Sequence, residues 1–382
     1  MIRFLFTDGD KLCEYSDGAV TVKTSKFIEK YRENAVNVER AKSWKHSGEG
    51  AKFRGDVVPE ADGAGIASAL NGIYPLNNGE SAYSFTVDGT SGIYKTVISD
   101  EKGAETHVIN SLDEEFYGGC ADADKNVIVC SVRRNAYNSD IAVFDLKHGG
   151  FKSVTDGDTL DEYPFVCEDG KIIFVSRGAG RDGNGAFIKF SNSAICRLDT
   201  EALTVEELAA DEKYNYIKPV YSGGKLYAVR LPAKEKKPNP VVEILLIPFR
   251  IVQAIVNFIN VFVTAFTGKS LASGGENPAK GRDYDSRKEF VKGNLINCEK
   301  EIKKNAHADK NDYGFIPQDW KLVEVESGKV LASGVADFDI LPDGTVIYTN
   351  GRRVFAVKDG KKTKLCNAER CLNLACVRGS DL

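Results

Sequence analysis

Pro164–Arg177, PFVCEDGKIIFVSR, is the stretch that decides how this chain folds. It reads as an apolar strand, a tight turn and a second apolar strand. Asp169-Gly170 supplies residues that accept positive φ in a two-residue hairpin, and the Phe, Val and Ile flanks suit a pleated, half-buried surface. Working outward, the pattern recurs in Tyr74–Phe85 (YPLNNGESAYSF), Cys120–Arg133 (CADADKNVIVCSVR), Pro219–Arg230 (PVYSGGKLYAVR) and Asp339–Thr349 (DILPDGTVIYT). A second hairpin follows the first, as in Ile141–Val154, Ala194–Leu208, Trp320–Gly334 and Arg353–Leu365. The unit is therefore four strands. The turns of the Tyr74, Cys120 and Pro164 copies lie about 45 residues apart, the period of a propeller blade.

The ends complete the count. Cys371–Val377 looks like a first strand without a successor, while Ile2–Gly9, Asp10–Tyr15 and Ala19–Lys23 look like three later strands without a first. Joined, they make one more blade and remove two exposed sheet edges. The chain is expected to be all-β: a six-bladed β-propeller, one domain over residues 1–382, closed by its N- and C-terminal strands. The competing reading is a stack of unrelated hairpins or a two-sheet sandwich.

The copy Tyr163–Arg177 (YPFVCEDGKIIFVSR) resembles the repeat of TolB-type propellers, found also in the non-catalytic domains of prolyl-oligopeptidase-like proteins. That repeat has an aromatic-Pro start, a Pro-Asp-Gly-Lys turn and an apolar strand ending in Ser-x-Arg. Leu341-Pro342-Asp343-Gly344 carries the turn most faithfully. The resemblance spans most of the chain outside residues 31–60 and 231–318. It implies a propeller that binds proteins or ligands on one face. No Gly-x-Ser-x-Gly elbow marks an attached hydrolase.

One stretch does not look like strand protein: Val241–Phe266, VVEILLIPFRIVQAIVNFINVFVTAF. Between Gly224 and Gly344 the gap is about 120 residues, one ~45-residue period plus about 75 more, and this stretch lies in the excess. Asn239 suits a helix cap, Pro240 the first helical position and Gly268 the residue after the last turn. Pro248 would kink the helix. The polar residues Glu243, Arg250, Gln253, Asn257, Asn260 and Thr264 fall within an arc of roughly 100°. The rest is apolar: Ile244, Leu245, Phe249, Ile251, Val252, Ile255, Phe258, Ile259, Phe262 and Phe266 present a face that must be covered.

A helical insertion over 231–319, with its apolar helix at 240–267, is thus expected in the fifth blade, between the second and third strands. A second insertion at 31–60 sits in a connection between blades, on the same face of the ring. A single membrane span would put two strands of one blade on opposite sides of the bilayer. The helix is therefore expected to lie in a membrane surface, with Lys234, Lys236, Lys237 and Lys269 flanking it, or to meet a protein partner, a second copy or its own chain. Ser286–Lys304 reads as a second helix, with Phe290, Val291, Leu295 and Ile302 as a partial apolar stripe.

Lysine and arginine (51) nearly balance aspartate and glutamate (55), for a net charge of −4. That leaves no nucleic-acid footprint. The N-terminal sequence carries no secretory pattern, and nine cysteines, an odd number, fit free thiols in a reducing compartment. A cytoplasmic protein is expected, peripheral on the inner face of the membrane if the apolar helix meets lipid.

Candidate chemistry gathers on the face that carries the insertions. Arg133, Arg134, Arg177, Arg181, Arg230, Arg352 and Arg353 lie where second strands pass to third strands. Glu114, Glu115, Asp161 and Glu162 lie where one blade passes to the next. Such a mouth could hold a small polar or phosphorylated ligand, or its charges could serve as solvated groups and inter-blade ion pairs. Trp44–Gly55 is a glycine-rich basic loop without phosphate-loop spacing. Asp122, Asp124 and Asn126 have part of a calcium-loop spacing but sit where other copies have a turn. Cys366, Cys371 and Cys376 lack paired metal-ligand spacing. No cofactor, metal or catalytic set is expected. The expected function is a binding or scaffold propeller without catalysis. The alternatives are an enzyme with a polar mouth and the insertion as lid, and a homo-oligomeric structural protein with the helix as interface.

Overall fold

The structure is a computed structural model that describes residues 2–42, 68–100, 103–233, 288–308 and 311–378. The chain divides into two units, Met1–Pro232 with Phe290–Leu382, and Ala233–Glu289. The second contributes only Ala233, Lys288 and Glu289 to the described residues, and the first carries the fold.

The sheets are arranged as in a propeller, from antiparallel meanders. The first holds β1 (Arg3–Asp8), β2 (Lys11–Ser16) and β3 (Ala19–Thr24), with the C-terminal strand β27 (Leu374–Cys376) beside β1. The register Phe4↔Cys376 to Phe6↔Leu374 closes the two ends of the chain onto one sheet. The next is β4 (Ser68–Pro75), β5 (Ser81–Val87), β6 (Thr90–Thr96) and β7 (Thr106–Ser111). Another joins β17 (Tyr214–Ser222) and β18 (Lys225–Pro232) to β21 (Lys321–Glu324) and β22 (Val330–Ser333). The last of this kind is β23 (Asp337–Ile340), β24 (Val346–Thr349), β25 (Arg353–Lys358) and β26 (Lys361–Asn367).

These are four separate four-stranded sheets where six were expected. Nine further strands form one sheet: β8 (Glu115–Asp122), β9 (Val127–Asn135), β10 (Asn138–Asp145), β11 (Phe151–Ser153), β12 (Thr159–Val166), β13 (Ile172–Arg181), β14 (Phe187–Phe190), β15 (Ala194–Asp199) and β16 (Thr204–Ala210). The physical reason is one parallel bridge, Ser139↔Leu160, which joins β10 to β12 and makes two antiparallel runs continuous.

The innermost strands touch in a closed cycle, β4 to β8, β12, β17, β23, β27 and back to β4. Burial follows that geometry. Strand β23 is buried along its length, whereas β3, β16 and β26 are mostly exposed. Glu206 and Glu207 on β16 and Lys361, Lys362 and Lys364 on β26 put charge on those outer edges, which discourages pairing with another sheet. Fully buried Tyr83, Phe85, Phe116, Phe144, Phe338 and Phe355 fill the spaces between sheets, each contributing on the order of 1.5–3 kcal/mol by leaving water.

Helix α1 (Lys26–Lys42) follows β3, its start capped by Ser25 Oγ accepting from the Ile28 amide at 3.2 Å. It takes up the start of the segment expected as an insertion at 31–60; residues 43–67, with the Trp44–Gly55 loop, lie outside the described residues. Between β18 and β21 come β19 (Lys288–Val291), β20 (Asn294–Asn297) and α2 (Cys298–Ala308). The reading of Ser286–Lys304 as one helix is corrected here. Lys292 and Gly293, at φ 48° and 75°, turn the chain into a hairpin, and α2 begins only where Asn297 Oδ1 accepts from the Lys300 amide at 3.0 Å. Phe290 and Leu295 are exposed while Val291 is buried, a strand alternation rather than a helical stripe.

The apolar segment 240–267, with all ten of its expected docking residues, lies outside the described residues. Among the described residues no helix is long and apolar enough to cross a membrane.

Candidate functional site

The connections on one side of the ring bring four of the expected residues together, Arg133, Arg177, Glu162 and Glu115. Glu162, at the bulge of β12, is almost fully buried. Its carboxylate accepts from Arg133 Nη2 at 3.0 Å, from Tyr117 Oη at 3.0 Å and from Arg177 Nη2. Arg133 also donates to Glu115 at 3.3 Å and lies 4.5 Å from the centre of the Tyr117 ring. Burial works against the Arg133 charge, but the negative groups around it, Glu162 and Glu115 among them, outweigh it and raise its pKa. Tyr117 is held well above the ordinary phenol value by burial and then by Glu162.

The other expected residues are held in separate pairs. Arg134 reaches Glu114 at 3.2 Å and the buried carboxylate of Asp140. Arg181 forks onto Asp158 at 2.5 and 2.6 Å. Arg230 lies over Tyr214 at 4.3 Å. Arg353 donates to the Tyr313 carbonyl, and both Arg352 and Arg353 lie over the Tyr313 ring. Asp161 accepts from Ser176 Oγ at 2.7 Å, and burial raises its pKa despite that hydrogen bond. The arginines and carboxylates of this face are thus engaged with one another or with aromatic rings, so the mouth is a clasp between strands. Asp122–Asn126 forms a turn between β8 and β9, with Asn126 at φ 55°. His148 Nδ1 lies 2.7 Å from Asp145 in an exposed turn.

A second constellation, not singled out in the sequence, lies at the axis. Each of β4, β8, β12 and β17 is irregular near its middle, and the bulges turn Gly72, Gly118, Gly119, Tyr163 and Lys218 inward. Gly119 has φ 92°, and a Cβ there would sit 2.0 Å from the Val129 carbonyl, so a side chain is excluded. Together with Ile73, Lys292, Asp337, Asn373 and Leu374 these residues line a cavity of about 20 Å³.

Asp337 is its centre. It is 1% exposed and lies 2.6 Å from Lys218 Nζ and 3.6 Å from Lys292 Nζ. The amides of Phe338 and Leu374 each donate to it at 2.9 Å. Lys292 comes from the turn of the β19–β20 hairpin, and its ammonium lies 5.2 Å from the centre of the Tyr163 ring. Burial lowers the pKa of Lys292, and Asp337 offsets this only in part.

A neighbouring cavity of about 30 Å³ shares Gly119, Tyr163, Lys218 and Leu374 and adds Cys120, Phe165 and Asp339. Arg378 pairs with Asp339 there and lies 4.9 Å over Phe165. Burial pushes the Cys120 thiol up to about 11, so it is no thiolate nucleophile near neutral pH. Among the described residues no cluster of His, Cys, Asp and Glu is arranged to hold a metal ion. The signal that could have found the axis was the residue before proline in first strands, Tyr163-Pro164 and Lys218-Pro219. Both residues have positive φ, 55° and 47°.

No family model and no curated protein matches this sequence. Solved structures do. The chain is similar to one in the nidogen/laminin complex, at 9% identity and a TM-score of 0.48, covering 99% of each chain. It is similar to the tricorn protease at 12% identity and a TM-score of 0.41, covering 99% of this chain but only 36% of that one. It is similar to the putative TolB of Agrobacterium tumefaciens at 17% identity and a TM-score of 0.36, covering 61% of this chain and 72% of that one. At these identities the likeness concerns fold alone: this chain is similar in fold to TolB and other β-propeller proteins.

Proposed function

We propose that this chain is a binding platform, a six-bladed ring that docks on a membrane surface through the apolar segment 240–267. In this reading the nine-stranded sheet counts as two blades hinged at the Ser139↔Leu160 bridge, which matches the cycle of six innermost strands. The observation that carries the platform reading is the state of the mouth. Arg133 and Arg177 are held by Glu162 and Glu115, so the charges of this cluster are already matched. General acid–base work needs a group poised to exchange a proton with substrate. The enzyme alternative would turn to Lys292 beside Asp337, but Asp337 is already held by Lys218 and by two backbone amides.

The docking half of the proposal rests on the sequence. Seventeen Val, Ile, Leu and Phe in Val241–Phe266, at roughly 1.5–3 kcal/mol each, exceed what a domain of ~5–15 kcal/mol net stability tolerates in water. The lysines beside them favour an anionic, inner-leaflet surface. Flotation of the purified chain with anionic liposomes, beside a variant lacking residues 241–268, is the test. Flotation of the intact chain alone, with the variant still folded by circular dichroism, supports docking on lipid. If neither floats, lipid is excluded as the cover. A larger mass for the intact chain in size exclusion then points to a second copy.

A further inference from the structure

The axial cavity carries positive charge that its own lining does not cancel. Among the described residues its charged lining is Lys218, Lys292 and Asp337, two ammoniums against one carboxylate. Asp337 is nearly saturated: each carboxylate oxygen already accepts from a backbone amide, Oδ1 from Phe338 and Oδ2 from Leu374. Lys218 takes Oδ1 at 2.6 Å and also donates to the Leu374 carbonyl at 2.7 Å. Lys292 is left with long approaches, 3.6 Å to Asp337 Oδ2 and 3.4 Å to Asn373 Oδ1. The Asn373 amide nitrogen is committed to Thr7 and the Leu70 carbonyl, which fixes its oxygen toward the lysine.

An ammonium carries three donors, and an ordinary N–H···O bond spans roughly 2.7–3.2 Å. Lys292, with a side chain 8% exposed, therefore brings donors into the cavity that its two acceptors meet only at a distance. Isolating charge of one sign from water is costly unless a counter-charge is placed beside it. The cavity, at about 20 Å³, exceeds the ~10–15 Å³ that one water-sized occupant needs.

We propose that this cavity is a binding site for a small monovalent anion of chloride size, held between Lys218 Nζ and Lys292 Nζ. The anion would neutralise the second ammonium and tie the β19–β20 hairpin to the innermost strands β17 and β23. Charge selects the occupant: the one excess ammonium of the lining is balanced by a monovalent halide and overshot by divalent sulfate.

The test is thermal unfolding of the full chain at constant ionic strength, exchanging gluconate for chloride. The expected result is a saturable rise in the unfolding midpoint with chloride, the same with bromide, and none with sulfate. Lys292→Met, checked for folding by circular dichroism, should weaken the chloride response at least tenfold. Should that variant not fold, crystals of the wild-type chain grown in bromide decide. An anomalous peak within about 3.5 Å of both ammonium nitrogens supports the site. A midpoint indifferent to chloride, an equal response to sulfate, or bromide peaks only outside the axis overturns it.

Discussion

The mouth of the ring and its axis are built from the same ingredients, basic side chains, carboxylates and tyrosines, and they end in different states. At the mouth Glu162 receives two arginines, while Arg133 also reaches Glu115 and Arg134 reaches Glu114 and Asp140. Charge is matched there, because guanidinium forks bridge neighbouring strands and Glu115 joins Glu162 against the two arginines. At the axis, among the described residues, Asp337 alone faces Lys218 and Lys292. There the geometry of the ring narrows to a point, and one carboxylate serves two ammoniums. The same residue types thus make a finished clasp where there is room for every partner and an unbalanced centre where there is not.

The sharpest way to break this comparison is to remove the shared carboxylate. Asp337→Ala leaves two lysines buried without it and detaches the Leu374 amide. A loss of ~3–5 kcal/mol is expected in denaturant unfolding. A loss below about 1 kcal/mol would mean that the axis is wetter than its burial indicates. Glu162→Gln is the matching change at the mouth. It keeps the shape and an acceptor for Tyr117 but removes the charge between Arg133 and Arg177. Because both arginines remain partly exposed, a smaller cost of ~2–3 kcal/mol is expected. Equal costs at the two sites would erase the distinction drawn between them.

The smallest effect is a pH dependence, measured in chloride-free buffer. Lys292 is buried among Tyr163, Lys218, Asp337 and Cys371, and its native pKa is lowered from the ordinary 10.5, first by burial. Between that lowered value and 10.5 the unfolded chain holds a proton that the native chain has released. Stability therefore rises with pH across that window. Lys292→Met should flatten the rise relative to the wild-type chain. Parallel pH profiles for the two proteins would show that Lys292 does not titrate abnormally in the fold.

How legible each region was in the sequence follows the same division. The hairpins were readable because a two-residue turn and its flanks are adjacent in the chain. Asp169-Gly170 and Asp343-Gly344 announce their turns with no help from tertiary contacts. The mouth was half-readable. The strand repeat put arginines and carboxylates on one face, but only the structure paired Arg133 with Glu162, 29 residues apart, and gave Arg181 to Asp158 instead. The separation of β-sheets was not readable, since one bridge between Ser139 and Leu160 decides whether nine strands count as one sheet or two.

The sequence by itself determined the strand pattern, the closure of N- and C-terminal strands into one sheet, and the presence of an apolar stretch that needs a cover. Period, turn chemistry and hydropathy are local quantities, carried by a few adjacent residues. Only the tertiary structure decided the axis. Lys218, Lys292 and Asp337 come from different strands and a hairpin, and they meet because bulges at Gly118–Gly119, Tyr163 and Lys218 turn the innermost strands toward one point. A bulge costs the ladder little and leaves scant trace in composition, yet it sets which side chain faces the centre.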